Sequence, residues 1–370
     1  MRVFLTCHIG EPALNLLRER GYTLEIYPGP EAPPQALIVE KAGSGIDGLI
    51  TTLRDKIDAK VFEAGKNTLK VVAQIAVGVD NINRADANRC KIPFTNTADV
   101  LTDATAEFAF FILGALARRL WSSEKLVREN RWGSWHPFLP FLGDEVSGKT
   151  LAVIGTGRIG QALIKKCLGL GMNVLCYDAA YQNHVFVESV QKIMDSQHSS
   201  GLYPDKTSIS YVSLKEALSQ ANFISLHVPL VKEGEPGEPT YHLINEQSLN
   251  LMRKDAWLIN TSRGAVVDEA ALYKALKENR IAGAALDVFE TEPLPADSPL
   301  RDPEIEDRCR LFHHFASGGR TTRLSIDPEK GMAGRCVQGL IDVLEGRYGG
   351  DIAKMPYVVN KEAFAADLRK

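Results

Sequence analysis

The sequence predicts an α/β protein made of two doubly wound parallel-sheet domains, and three observations carry that expectation. The chain has 370 residues, 45% of them hydrophobic, enough to fill two ordinary cores. Strand and helix signals alternate over the first hundred residues and again from about 100 to 315, the order that produces parallel sheets flanked by helices. One stretch, VSGKTLAVIGTGRIGQALIKKCLGLGMNVLCYD over 146–178, encodes a complete βαβ nucleotide-binding unit.

In chain order, residues 3–5 read as a strand, 13–20 as a helix closed by Gly21, and 24–27, 48–51 and 69–75 as further strands, with no GxGxxG among them. A long helix over 99–120, amphipathic and then apolar, leads into the nucleotide unit. Residues 151–154 are an apolar run bounded by Gly155, too short for a helix, and read as a buried strand. Gly155, Gly157 and Gly160 then fall at GxGxxG spacing. The first allows a tight turn, the second lets the backbone approach a pyrophosphate, and the third lets the next helix pack closely on the sheet. The helix N-terminus favours phosphate. A strand over 173–177 ends at Asp178, 21 residues beyond Gly157, where an acidic side chain meets the ribose hydroxyls of a dinucleotide. A carboxylate there repels a 2′-phosphate, and Ala179 and Ala180 offer no cation to receive one, so NAD is expected over NADP.

The strand pattern runs on to about residue 315. A helix over 331–346 has no place in a sheet already complete, so it is expected to return to the first domain. The expected domains are therefore 1–100 with 318–370, and 101–317. Two polar stretches, 181–210 and 232–240 (KEGEPGEPT), are expected to be surface insertions, read as solvated loops with a binding element as the alternative for either.

Composition excludes several classes. With 43 basic and 46 acidic side chains and no sustained basic run, neither nucleic acid nor an anionic membrane is expected as partner. The longest apolar stretch, 108–117, is about half a membrane span. The opening MRVFLTCHIGEP lacks a long apolar core and a small-residue cleavage site. Cys7, Cys90, Cys167, Cys176, Cys309 and Cys336 form no CxxC pair and are expected to be reduced core thiols of a cytoplasmic protein. No metal is expected.

Three separated side chains can carry chemistry. Residues 258–259 end a strand, and 260–264 form the turn after it, which in a doubly wound sheet faces the ligand crevice. Arg263 in that turn offers a planar, two-pronged cation suited to a substrate carboxylate. Glu292 follows the next strand, and His313 and His314 follow the one after. An imidazole is the natural acid for a ketone being reduced at neutral pH, and a nearby carboxylate holds its tautomer. Singly, these are equally a surface cation, a solvated loop charge and a satisfied core histidine; at the ends of three successive strands they form a set.

GKTLAVIGTGRIGQAL, INTSRGAVVDEAAL and ALDVFETEP resemble the three signatures of the D-isomer-specific 2-hydroxyacid dehydrogenases, with matching segments over nearly the whole chain. IAVGVDNIN, NTADVLTDATAEFAFFILGALARRL and WHPFLPFLG resemble the glyoxylate/hydroxypyruvate reductase branch. The resemblance implies a flavodoxin-like substrate domain, a Rossmann domain, and a homodimer built largely on the nucleotide domains. It implies that Arg263 binds the carboxylate and carbonyl, that Glu292 pairs with the histidine, and that His314 gives a proton to the carbonyl oxygen as hydride arrives. Backbone groups of Val77 and Gly78 would bind the carboxylate, and Trp135 would close the pocket of the partner subunit. The implied cofactor site comprises Thr105 near the nicotinamide, then Gly155, Gly157, Arg158, Ile159, Gly160, Asp178, His227, Pro229, Thr261, Ser262 and Asp287. Where the family has TPHIASAT this chain has FHHFASGGR, which makes His314 the acid and puts His313 at the proline position. The basic residues that NADP-preferring glyoxylate reductases carry after the second strand are absent. The implied reaction is NAD(H)-dependent hydride transfer to a short 2-oxo acid, glyoxylate and hydroxypyruvate first. D-lactate, a sugar-derived 2-oxo acid, phosphite, and a non-catalytic NAD(H)-sensing scaffold stay open as alternatives.

Overall fold

The computed structural model describes residues 1–137 and 141–365, so Phe138, Leu139 and Pro140 of the WHPFLPFLG segment lie outside the described residues. The chain divides into two compact units, Met1–Thr102 with Gly318–Lys370, and Asp103–Ser317.

In the first unit β1 (Arg2–Leu5), β2 (Thr23–Ile26), β3 (Gly48–Thr51), β4 (Val71–Gln74) and β5 (Phe94–Thr95) form one sheet in the order β2-β1-β3-β4-β5. Every pair is parallel. Their apolar runs are explained by burial on both faces. On one face the helix Met332–Leu344 sets Cys336 and Leu340 against Val3, Leu5 and Ala73. On the other, helices Gln35–Gly43 and Ala59–Gly65 bring Ile38, Val61 and Phe62 onto Phe4, Leu49 and Val72.

The second unit contains β6 (Thr150–Ile154), β7 (Asn173–Tyr177), β8 (Ile209–Tyr211), β9 (Phe223–Leu226), β10 (Trp257–Asn260), β11 (Gly283–Leu286) and β12 (Cys309–Leu311). All are parallel, in the order β12-β11-β10-β9-β6-β7-β8. The strand order reverses between β6 and β9, and a doubly wound sheet opens its ligand crevice at such a reversal. Ala106, Ala109 and Leu113 of the helix Thr102–Ala117 pack with Val153 on one face, while Leu272 and Leu276 pack with Leu258 on the other.

Three expectations need correction. The helix read over 99–120 spans only Thr102–Ala117, because Arg119 takes a left-handed conformation (φ 50°) after which the next helix, Leu120–Arg128, begins. The 181–210 stretch is not a loop but contains the helix His184–Ser199, whose N-cap Asn183 accepts the Phe186 N–H at 3.0 Å. Only Val190 and Met194 of that helix are buried, which leaves its apolar periodicity too sparse to read from sequence. Four cysteines are buried, but Cys7 and Cys90 are only half-buried. Among the described residues no helix is long and apolar enough to cross a membrane, and no group of His, Cys, Asp and Glu is arranged to hold a metal.

Candidate active site

The carboxyl edge of the second sheet gathers the residues expected to carry chemistry, because parallel strands all release their C-terminal ends on the same side. Gly155 follows β6, Asp178 follows β7, His227 follows β9, Thr261 to Arg263 follow β10, Asp287 to Glu292 follow β11, and His314 follows β12.

The glycine turn is built for close approach. Gly155 has φ 94°, and a Cβ on it would lie 2.7 Å from the carbonyl carbon and oxygen of His227. The end of β9 therefore rests directly on the turn after β6, and the His227 N–H donates to the Ile154 carbonyl at 2.7 Å. Gly160 is buried in the helix Arg158–Cys167, Ile159 is half-buried, and Gly157, the N-cap, faces open space beside exposed Arg158. Asp178 stands at the mouth of this turn. Its Oδ2 accepts the Thr156 N–H at 2.8 Å, and its Oδ1 accepts the N–H groups of Ala180 and Tyr181 at 3.0 and 3.1 Å. His227 Nε2 lies 2.8 Å from the Ser225 hydroxyl, and burial pushes the imidazole pKa down from 6.5 to about 4, so the ring is neutral at physiological pH. Pro229 is exposed and its carbonyl accepts the Thr240 hydroxyl at 2.6 Å; Thr105 is buried in the first turns of the helix Thr102–Ala117.

These residues fit a dinucleotide. An open helix N-terminus and a fixed carboxylate stand at the same sheet edge, and the buried Thr261 hydroxyl has no hydrogen-bond partner among the described residues. Buried polar atoms are nearly always paired, so Thr261 marks a place where a ligand or water belongs.

Next along the edge, fully buried Asn260 shapes the Arg263 turn. Its Oδ1 accepts the Ser262 N–H and hydroxyl at 3.0 and 2.8 Å, and its Nδ2 donates to the Arg263 carbonyl at 2.9 Å. The Arg263 guanidinium donates to the Ser262 carbonyl at 2.7 Å. A Cβ on Gly264 would lie 1.8 Å from the Phe289 carbonyl carbon, so the Arg263 turn packs backbone to backbone on the loop that carries Glu292. In that loop the Phe289 N–H donates to Glu292 Oε1 at 3.0 Å, and Glu292 Oε2 meets His314 Nδ1 at 2.9 Å. Burial favours the neutral form of Glu292. The His314 hydrogen bond and charge, the Phe289 N–H and the Arg263 charge outweigh it, and the carboxyl lies below its ordinary 4.5.

His314 itself sits in the left-handed region, φ 54°, a strained conformation for a non-glycine residue that surrounding structure must hold. Asp287 supplies that hold. Its carbonyl accepts the His314 N–H at 2.8 Å, and its carboxylate accepts the N–H groups of Phe315 and Ala316 at 2.6 and 2.8 Å. Burial raises the Asp287 pKa above its ordinary 3.8, and the two N–H donors oppose that rise. His313 is exposed and stacks on the Phe315 ring, with centroids 5.1 Å apart. The structure thus brings Glu292 to His314.

In the first unit the turn after β4 presents Val77 and Gly78. Asn96 Nδ2 donates to the Val77 carbonyl at 2.8 Å, and Gln74 Nε2 donates to the Gly78 carbonyl at 3.1 Å. Gln74 also donates to Asn81 Oδ1 at 2.6 Å, and Asn81 Nδ2 donates to the carbonyls of Thr52 and Asp55 at 3.0 and 2.7 Å. With the carbonyls held from behind, the Val77 and Gly78 N–H groups have no partner among the described residues, which suits an anion. Trp135, after the helix Leu120–Arg128, is 76% exposed. Asn260, Gln74, Asn81 and Asn96 escaped the sequence reading. The available signal was a polar residue closing a buried apolar strand, as in VVAQ and WLIN.

Residues 110–316 match the family described as D-isomer specific 2-hydroxyacid dehydrogenase, NAD binding domain. The chain is 43% identical to a glyoxylate reductase of Thermococcus litoralis over 369 residues, 99% of this chain and 98% of that one. It is also 43% identical to a glyoxylate reductase of Korarchaeum cryptofilum over 323 residues, 87% and 88% of the two chains. Among solved structures, the TT0316 protein of Thermus thermophilus aligns with a TM-score of 0.79 and 37% identity, covering 97% of this chain and 100% of that one. The D-lactate dehydrogenase of Aquifex aeolicus, complexed with NAD and lactic acid, aligns with a TM-score of 0.75 and 26% identity over 97% and 99%. The chain belongs to the D-isomer-specific 2-hydroxyacid dehydrogenase family and is an NAD-dependent oxidoreductase of it.

Proposed function

We propose that the protein reduces short 2-oxo acids, glyoxylate and hydroxypyruvate foremost, to the corresponding 2-hydroxy acids with NADH. The observation that carries this reading is the 2.9 Å Glu292–His314 hydrogen bond, on the same sheet edge as Arg263 and the glycine turn. The substrate choice is supported by relatives named glyoxylate reductase across nearly the full length of the chain.

When bound, the cofactor supplies the hydride. Asp178 would receive the adenosine ribose hydroxyls and the N-terminus of the helix Arg158–Cys167 the pyrophosphate, and Thr105, His227, Pro229, Thr261, Ser262 and Asp287 would complete the cofactor's surroundings. Arg263 grips the substrate carboxylate and polarises the carbonyl, and the Val77 and Gly78 N–H groups are further donors suited to a carboxylate. Glu292 accepts from His314 Nδ1, so delivery of a proton to the carbonyl oxygen falls to Nε2. The first unit serves as the substrate domain and the second as the cofactor domain.

A homodimer built on the second unit belongs to the same reading. Phe111, Trp132 and Leu142, at 66, 58 and 64% exposure, join Trp135 as large apolar side chains left in solvent, which a second copy would cover. Steady-state NADH oxidation with a panel of 2-oxo acids tests the proposal. Glyoxylate and hydroxypyruvate are expected to give the highest kcat/KM, and preference for pyruvate or a longer acid would overturn the substrate assignment.

A further inference from the structure

Between the glycine turn and the 181–210 insertion runs a chain of hydrogen bonds through Tyr211, the last residue of β8. The Asn183 N–H lies 2.8 Å from the Tyr211 hydroxyl, that hydroxyl lies 2.8 Å from the Thr156 hydroxyl, and Thr156 Oγ1 lies 3.3 Å from Asp178 Oδ2. The two ends fix its direction. A backbone N–H can only donate and a carboxylate can only accept, so Tyr211 accepts from Asn183 and donates to Thr156, which donates to Asp178. Such a chain polarises toward the carboxylate, and each link orders the next.

The insertion is pinned around the same point. Its first residue, Tyr181, and Ala180 just before it each give Asp178 Oδ1 an N–H donor, and the His184 ring lies edge-on to Tyr211 with centroids 5.3 Å apart. Further along, Gln191 accepts the Ile209 N–H at 2.9 Å and donates to the Thr207 carbonyl at 3.2 Å, and the Tyr203 hydroxyl donates to the Gly169 carbonyl at 2.6 Å. One carboxylate oxygen of Asp178 is thus held by the insertion and the other by the glycine turn, with Tyr211 tying the two together.

We propose that Tyr211 is a positioning residue for the dinucleotide: acting through Thr156, it fixes Asp178 as an acceptor for the ribose diol and so sharpens the choice of NADH over NADPH. This rests on the reading of Asp178 as the ribose ligand. NADPH cannot use the diol that the fixed carboxylate rewards, so losing the chain costs NADH more than NADPH.

The test is direct titration of the substrate-free protein with NADH and with NADPH by fluorescence, alongside kinetics. Tyr211→Phe is expected to raise the NADH Kd by about three- to tenfold, the effect of one hydrogen bond, with a smaller change for NADPH. The Kd ratio between the cofactors therefore narrows, and the loss falls on NADH binding rather than on kcat. Thr156→Val cuts the same chain one link nearer Asp178 and should narrow the ratio equally. Adding Tyr211→Phe to it should then cost little more, because two links of one chain are not additive. Equal losses for both cofactors would mean only structural support and would overturn the proposal. So would an unchanged NADH Kd in both variants while Asp178→Ala still loses NADH. If Asp178→Ala itself leaves NADH affinity intact, the ribose reading fails, and the role of Tyr211 falls with it.

Discussion

At the level of a single side chain, Asp178 is the residue proposed to decide the cofactor. Its carboxylate favours two ribose hydroxyls, would repel a 2′-phosphate, and is followed by two alanines with no cation to offset that repulsion. NADH is therefore expected to exceed NADPH in kcat/KM by at least about tenfold, from interactions worth roughly 1 to 3 kcal/mol. Equal use of both cofactors by the wild-type protein would refute this. The neighbouring histidines divide just as sharply. His314 has the Glu292 carboxylate, whereas His313 has the Phe315 ring. His313→Asn is expected to leave kcat within a small factor of wild type. A larger loss than in His314→Asn would move the acid by one residue.

Elements place these side chains, and two of them lend themselves to test. Gly264 lets the turn after β10 lie against the loop after β11, so Gly264→Ala forces apart the Arg263 and Glu292 backbones. Overpacking of this kind costs typically about 1 to 3 kcal/mol, and the melting temperature and kcat should fall together. A variant with wild-type kcat would show that the two turns move independently of the chemistry. His227, at the end of β9, couples the switch point to pH. The unfolded chain gains a proton on His227 near pH 6.5 and the folded chain only near about 4, so between these values the unfolded state binds more protons and acidification lowers stability. Melting temperature should therefore fall as pH drops from 6.5 toward 4, and less steeply in His227→Gln. Parallel slopes would remove His227 as the cause.

The same elements explain what a reader of the sequence can and cannot see. β3 and β7 have the bounds 48–51 and 173–177 expected from sequence, because punctuation by glycine and aspartate coincides with where pairing stops. The glycine turn is legible because backbone geometry leaves glycine little alternative there. The stop of the long helix at Ala117 is not, since nothing local forbids it from continuing through Arg118–Arg119. The helix in the insertion is hidden because two buried side chains, Val190 and Met194, make too thin an apolar stripe. Asn260 and Gln74 are hidden for another reason. Their work lies in hydrogen bonds to carbonyls and N–H groups several residues away in space, and no periodicity announces that.

At the scale of the whole molecule, the proposed homodimer would place Trp135 over the pocket of its partner and so share the active site between two subunits. Trp135→Ala is expected to raise KM for glyoxylate and to favour longer 2-oxo acids, because it removes a large rigid ring from the pocket. Purified heterodimers of a Trp135→Ala subunit with an Arg263→Ala subunit separate the two arrangements. If Trp135 acts across the interface, one site carries both defects and the other neither, and about half the wild-type activity survives with a wild-type KM. If it acts within its own subunit, every site is damaged and no wild-type-like activity appears. The central claim, that this chain reduces a 2-oxo acid through His314 held by Glu292, is tested most directly by single-turnover mixing of the enzyme–NADH complex with glyoxylate. The wild-type complex should oxidise its bound NADH, and His314→Asn should bind NADH as tightly yet oxidise it about 10² to 10⁴ times more slowly. Oxidation by His314→Asn at the wild-type rate, or a wild-type complex that holds NADH and leaves it unoxidised, would contradict the account.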